Sequence, residues 1–475
     1  MFKNHHEVQE FCRNNEIEFI DFKLLDLAGR WHHLTITPRR FTEETITQGI
    51  GFDGSSYGFL SVEKSDMVFK PDLESYFIDP FNESKTLVFM TRLFKVDEAH
   101  YRFESDPRFI CEKAIAYMKE KAHADQVLLG PEFEYYTFDR CQFELTPQAS
   151  GFLVDTQQAE WHSGKVENNS GYIVSHKGGY HVDRPKDINF DMRNEIVSLL
   201  EQVGVPVKYH HPEVGGPGQQ EIELDFEGPV VMGDRSMLVK YIIKNTSHLY
   251  GRTATFMPKP IYGEAGSGMH VHMQLLNEGV NLFYEKGGYS NMSKIGLYAM
   301  GGILKHAPSL MAFTNPSTNS FKRLVPGYEA PVSLCFGTAN RSSVVRIPGY
   351  AIEPNRKRFE FRPSDATANP YLAYAALMMA MFDGIENEID PIKEGYGPLD
   401  VNIFKLSDEE RSKIGALPKD LYQVIEAIEA DQSYLLKDGV FTQAIINDQI
   451  NYLKKEALAE GLQPSPREYK VYYDL

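Results

Sequence analysis

Four short segments of the chain set chemistry-bearing side chains at alternating positions. Glu132 and Glu134 alternate with Phe133 and Tyr135, and Glu221 and Glu223 with Ile222 and Leu224. His270, His272 and Gln274 alternate with Met269, Val271 and Met273, and Arg358, Glu360 and Arg362 with Phe359 and Phe361. Successive side chains in a strand point to opposite faces, so each segment carries a polar face backed by an apolar one. Any one of them alone reads more readily as an ordinary antiparallel strand with a solvated face. Four in one chain, rich in Glu, His and Arg and poor in Lys and Ser, point instead to a shared polar interior.

Suppose Glu132, Glu134, Glu221, Glu360 and His270 face one cavity, joined by Glu213 of His210-His211-Pro212-Glu213. The five carboxylates of that set cannot all stay ionised without cations, and two divalent ions would neutralise most of the charge. Oxygen-dominated ligation with a single imidazole suits Mg²⁺ or Mn²⁺, and the absence of cysteine from these segments disfavours structural zinc. Paired metals of this kind serve phosphoryl transfer, where they offset charge on phosphate oxygens. Anionic substrates also need local arginines, and Arg323, Arg341, Arg346, Arg358 and Arg362 fall within forty residues of an acidic chain.

Strands must hold these faces in place. Alternation and turn residues predict strands over Ile17–Leu24, Trp31–Thr37 and Thr86–Leu93, with Gly51–Tyr57 as a loop between them. Ser105-Asp106-Pro107 predicts a helix start, followed by Ile110, Ala114, Tyr117 and Met118 at helical spacing. The domain boundary is therefore expected there, giving a small β-rich domain over 1–104 and a larger one over 105–475. In the larger domain, strands over Val127–Tyr136, Val205–Tyr209, Thr253–Met257 and Met269–Leu275 alternate with helices around Ile196–Val203 and Leu238–Leu249, an α/β pattern.

At 475 residues the chain exceeds one ordinary domain. A net charge of −17 repels phosphate backbones and anionic lipid, so nucleic acid is not an expected partner. No apolar run approaches the roughly 18 residues of a membrane span, and none near Met1 has signal-peptide length. The four cysteines, Cys12, Cys111, Cys141 and Cys335, are scattered, which fits a reducing, cytoplasmic setting.

Along nearly its whole length the sequence resembles the type I, bacterial-style glutamine synthetases. The blocks that carry the resemblance are FDGSS at 52–56, GPEFEYYTFD at 130–139, MPKPIYGEAGSGMHVHM at 257–273, NPSTNSFKRLVPGYEAP at 315–331, NRSSVVRIP at 340–348, RFEFRPSDATANPYLA at 358–373, and GVFTQAIIN near the end. The resemblance implies an N-terminal β-grasp domain and a catalytic domain built as an incomplete α/β barrel. It also implies ATP-dependent ligation of ammonia to the γ-carboxylate of glutamate, and a dodecamer of two hexameric rings with active sites between subunits. Glu134, Glu213 and Glu221 would hold one metal, and Glu132, His270 and Glu360 the other. His272 and Arg358 match contacts to ATP phosphates, Phe226 a residue near adenine, and Gln274 and Arg346 residues near the nucleotide. Gly266, Arg323 and Arg362 match glutamate contacts, Glu329 a flap carboxylate over ammonia, and Arg341 an aid to phosphoryl transfer. Asp53 matches the base that takes a proton from ammonium, and Asp66 part of the ammonium site.

Three departures stand out. Ala265 replaces an asparagine that helps to hold glutamate, and Gln274 replaces a common serine. Phe404 replaces the tyrosine that a regulated subgroup adenylylates, so that control is expected to be absent. The rival reading is a γ-glutamyl ligase for a larger amine such as a polyamine; the ammonium-site residues Asp53, Asp66 and Glu329 count against it.

Overall fold

The computed structural model describes residues 1–96, 101–121, 124–167, 169–325, 330–401, 403 and 406–475. Five strands form the first sheet: β1 (Phe19–Leu25), β2 (Trp31–Ile36), β3 (Ile50–Asp53), β4 (Asp66–Ile78) and β5 (Thr86–Lys95). Their order is β2-β1-β5-β4-β3, with β1 and β5 parallel and the other pairs antiparallel. The helix His5–Asn14, absent from the sequence reading, packs Val8 and Cys12 into the same core as Ile20, Phe22, Phe69 and Phe89. This is the β-grasp arrangement.

The expected loop over Gly51–Tyr57 needs correction. Its first residues belong to β3, which pairs with β4, and only Gly54–Tyr57 turn, as a single 3-10 turn capped by the Asp53 carboxylate on Ser55 N–H. Glycine and serine composition suggested a loop, but ladder hydrogen bonds to a long neighbouring strand override composition.

The second sheet contains β6 (Gln126–Phe138), β9 (Val207–Pro212), β10 (Gln219–Leu224), β11 (Thr253–Thr255), β12 (Met269–Asn277), β13 (Val280–Asn281), β14 (Ser333–Thr338), β15 (Ser343–Ile347) and β16 (Phe359–Phe361). Between β6 and β9 the chain forms a separate hairpin, β7 (Arg140–Thr146) and β8 (Ala149–Asp155). The sheet runs β14-β15-β16-β12-β6-β10-β9, with β11 on β6 and β13 on β12, and curls into an incomplete barrel. The strand expected over Val205–Tyr209 begins later, because Val205 N–H closes the preceding helix onto Leu200 O and Pro206 has no N–H to donate.

Period-two alternation predicts which face is which. Phe133, Ile222, Val271, Met273, Phe359 and Phe361 are fully buried. They share a core with the helices Pro107–Lys121, Pro229–Leu249, Lys294–Thr314 and Pro370–Glu386. Each such side chain contributes about 1.5–3 kcal/mol by leaving water, and together they fix the register that sets the polar residues on the other face.

Candidate active site

Register converts the four alternating segments into direct neighbours. Across β6–β10, Glu134 faces Glu221 and Glu132 faces Glu223. Across β6–β12, His270 faces Glu132; across β12–β16 and β15–β16, His272 and Arg346 both face Glu360. Glu132, Glu134, Glu213, Glu221 and His270 line one cavity of about 1000 Å³. The shared polar interior expected from the sequence is therefore present.

Two of the carboxylates already have close protein partners. His270 Nδ1 lies 3.1 Å from Glu132 Oε2 and 3.5 Å from Glu360 Oε1, and His272 Nε2 lies 2.8 Å from Glu132 Oε1. Arg346 Nη1 donates to Glu360 Oε2 at 2.7 Å, and Arg362 Nη1 donates to the other oxygen. Burial opposes ionisation of both acids, yet His272 and His270 hold Glu132 well below the usual carboxylate range. Against the same burial penalty, Arg362 leads in pulling Glu360 down to about 2.

Glu213 and Glu221 have no such compensation. Their nearby imidazole, His211, stands 3.7 Å from Glu213 Oε2 and 3.3 Å from Glu221 Oε1. Burial, then Glu221 and Glu134, push Glu213 up to about 8. Burial, then Glu132, Glu134, Glu223 and Glu360, push Glu221 well above its ordinary value. The deficit of positive charge is thus concentrated beside Glu213 and Glu221.

Among the described residues, three groups have ligand atoms within 4.8 Å of one another: Glu132, His270 and Glu360; His211, Glu213 and Glu221; and Glu132, Glu223 and His272. The first is the expected second metal set without change. The second contains two of the three expected ligands of the other metal. Its missing member, Glu134, belongs to no group: its Oε2 accepts from Gly268 N–H at 2.7 Å, and its Oε1 lies 3.7 Å from His270 Nε2. Carboxylate oxygens with imidazole and no sulfur fit a hard divalent cation such as Mg²⁺ or Mn²⁺.

The remaining expected residues divide by place. Gly266, Ala265, Arg323, Arg341, Arg346 and Arg362 line the cavity. Arg323 spends its guanidinium on Pro363 O, Ser364 O, Arg362 O and His270 Nε2, stapling the 362–364 segment to the metal-facing strand. A Cβ on Gly266 would stand 2.6 Å from Arg323 Cγ, so only glycine fits there without displacement. Phe226 and Tyr350 hold Arg358 between them, at 5.6 and 5.4 Å from its guanidinium carbon, a cation–π platform. The Gln274 amide donates to Asn355 O and Lys357 O, which commits it to the backbone leading into β16. Asp53 and Asp66 face each other across β3–β4, both exposed, and no residue before Glu132 lines the cavity. Glu329, most of the expected lid Val325–Glu329, and Phe404 lie outside the described residues.

Sequence reasoning passed over Glu223, Lys208 and His211. Glu223 is fully buried, opposite Glu132, and takes a 2.5 Å bond from Lys208 Nζ, while its Oε2 has no partner. The alternation that marked Glu221 also marked Glu223. Lys208 and His211 both line the cavity although they stand three positions apart, and the register of β9 against β10 shifts at Lys208, an irregularity that period-two alternation does not reveal.

The model of the glutamine synthetase catalytic domain matches residues 104–472, and that of its β-grasp domain matches residues 16–96. The chain belongs to the glutamine synthetase family. A glutamine synthetase of Streptomyces filamentosus is 42% identical, with 100% of both chains covered, and one of Aquifex aeolicus is 41% identical, over 99% of this chain and 98% of its own. The cryo-EM structure of the Plasmodium falciparum glutamine synthetase superposes with a TM-score of 0.88 at 27% identity, covering 99% of each chain. As a glutamine synthetase, the chain is an ATP- and divalent-metal-dependent ligase, and the acidic cavity supplies a matching donor set.

Proposed function

We propose that this glutamine synthetase joins ammonia to the γ-carboxylate of L-glutamate, with ATP converted to ADP and phosphate, at a site holding two Mg²⁺ or Mn²⁺ ions. The observation that carries the reading is that Glu132 and His270 line one cavity with Glu213 and Glu221, with Glu360 buried against His270, in a chain related to glutamine synthetases from end to end. Glu132, His270 and Glu360 would hold one ion. Glu213 and Glu221 would hold the other, with Glu134 joining them by turning away from Gly268 N–H. The ions would supply positive charge against the charge that develops on the phosphate oxygens.

The chemistry follows from physical need. A carboxylate is a poor electrophile, so its oxygen first takes the γ-phosphoryl group of ATP, giving an acyl phosphate and ADP. Arg346, Arg358, His272 and Phe226 would place the nucleotide, with Gln274 acting through the backbone it holds; Gly266, Arg323 and Arg362 would place glutamate. Ammonium has no lone pair, so Asp53 accepts one of its protons and Asp66 helps to hold it. Ammonia then attacks the acyl carbon, and phosphate leaves. Arg341 and Arg362 stabilise the oxyanion of that step, and Glu329 closes the flap that keeps water from the acyl phosphate.

Asp53 and Asp66 are exposed at the far end of a sheet that lends nothing to the cavity of its own chain. That arrangement supports a homo-oligomer, a dodecamer of two hexameric rings, in which each β-grasp domain completes a neighbour's site. A cytoplasmic setting is part of the same reading; four free cysteines agree with it. No helix among the described residues is long and apolar enough to cross a membrane.

Product analysis tests the proposal. With ATP, glutamate and Mg²⁺ or Mn²⁺, ammonium is expected to give glutamine far faster than putrescine or spermidine gives a γ-glutamyl amide. The reverse order would overturn it in favour of the larger-amine ligase.

A further inference from the structure

A buried ionic knot ties the β-grasp sheet to the larger domain, and the site chemistry does not use it. Arg108, on the helix Pro107–Lys121, donates from Nε to Asp234 Oδ1 at 3.0 Å and from Nη2 to Asp234 Oδ2 at 2.8 Å. Its third arm, Nη1, reaches Asp72 Oδ2 on β4 at 3.0 Å. Ser75, also on β4, donates to Asp234 Oδ2 at 2.6 Å, and Tyr371 OH donates to the other oxygen. Arg92 on β5 adds a 3.1 Å bond to Asp72 Oδ2. Asp72, Arg108, Asp234 and Tyr371 are each at most 5% exposed.

Buried ion networks add little net stability over well-packed apolar groups, so what this one fixes matters more than how strongly it binds. β4 breaks register with β5 between Pro71 and Tyr76, the stretch that sends Asp72 and Ser75 to the knot. Irregularities of this kind re-aim side chains. The same strand begins at Asp66, directly across from Asp53. From Asp66 to Asp72 the strand spans roughly 20 Å at about 3.3 Å per residue. A tilt of only roughly 3° at the knot would move the Asp53 corner by roughly 1 Å, and about 1 Å of misplacement can cost up to about 100-fold in rate.

We propose that the Asp72–Arg108–Asp234 knot positions the Asp53/Asp66 corner against a neighbouring subunit's cavity. This rests on the reading that Asp53 serves a neighbour. Asp72, Ser75 and Arg108 are positioning residues; they act through β4 and touch no substrate.

Hybrid oligomers test it. Asp72→Asn alone is expected to raise KM for ammonium about tenfold, leave KM for glutamate and ATP within about twofold, and keep the oligomer mass. Glu360→Gln chains are expected to be inactive but to keep an intact knot. Co-expressed with Asp72→Asn chains, they should lend an intact corner to an intact cavity, restoring sites with the wild-type KM for ammonium. Equal rises in all three KM values, or hybrids with only the raised KM, would overturn the proposal. A parallel Asp53→Asn with Glu360→Gln hybrid separates the two ideas. If it gains no activity, the inter-subunit reading falls and the knot proposal with it; if it gains activity while the Asp72→Asn hybrid shows no rescue, only the knot proposal falls. Should Asp72→Asn fail to fold, Ser75→Ala removes one bond of the knot and enters the same comparison, with an expected rise of about threefold.

Discussion

Glu134 and Glu221 stand directly opposite each other across the β6–β10 ladder, two acids at the centre of a buried sheet. Like charges in that position destabilise a sheet. Glu134 is tethered to Gly268 N–H, and the surplus charge falls on Glu221 and Glu213.

Metal removal should destabilise the protein in a pH-dependent way. Glu213 in the folded, metal-free chain holds its proton up to about 8, against 4.5 when unfolded. Between those values the folded state binds more protons, so metal-free stability falls as pH rises from about 4.5 towards 8. Thermal unfolding with and without chelator should therefore show a larger Tm gap at pH 8 than at pH 6.

Two substitutions in the acidic cluster should move stability in opposite directions. Glu360→Gln leaves Arg346 and Arg362 facing an amide in place of a buried carboxylate, and breaking a buried pair costs about 3–5 kcal/mol. Glu213→Gln removes an acid whose ionisation folding opposes, so the metal-free chain should melt higher than wild type at pH 8. Both should lose glutamine synthesis by at least about 100-fold. Calorimetry of the metal-free proteins reads the sign.

Much of this was legible in the sequence because strand alternation is rigid: Phe133, Val271 and Phe361 went to the core, and Glu132, His270 and Glu360 went to one polar cluster. What escaped depended on register or partners. The strand Asp66–Ile78 carries Pro71 and an irregular Asp72–Ser75 stretch, so it has no clean alternation. Glu134 shares parity with Glu132, yet its direction was set by Gly268, a residue more than a hundred positions away. Lys208 lay inside the expected strand, but its approach to Glu223 comes at a shift of register between β9 and β10 that alternation does not reveal.

Far from the cavity, His306 sits between Asp383 and Asp431, with nitrogen–oxygen distances of 2.8 and 2.7 Å. Burial works against its charge, but the bonds to Asp383 and Asp431 raise its pKa overall. A raised histidine contributes stability fully below its unfolded value and loses it as pH climbs through the folded one. The Tm difference between wild type and His306→Gln should thus be largest below about pH 6.5 and shrink in alkaline buffer.

Asp53 should titrate unusually low in the free protein. The Ser56 and Ser55 hydroxyls and Ser55 N–H lower it to about 2, so ionisation of Asp53 cannot set an acid limb near neutrality. Carbonyl NMR of Ser55→Ala with Ser56→Ala should show its titration moving up towards 3.8. Asp53→Asn should depress ammonia-dependent synthesis by about 100-fold or more while nucleotide binding stays within about twofold.

Two divalent cations held at separate sets of buried carboxylates are what the proposed chemistry requires. Electron paramagnetic resonance of Mn²⁺ titrated into the metal-free protein tests this directly. We expect two tight ions per chain, falling to one in Glu360→Gln and to one in Glu213→Gln. No tight ion in wild type, or an unchanged count in both variants, would contradict it.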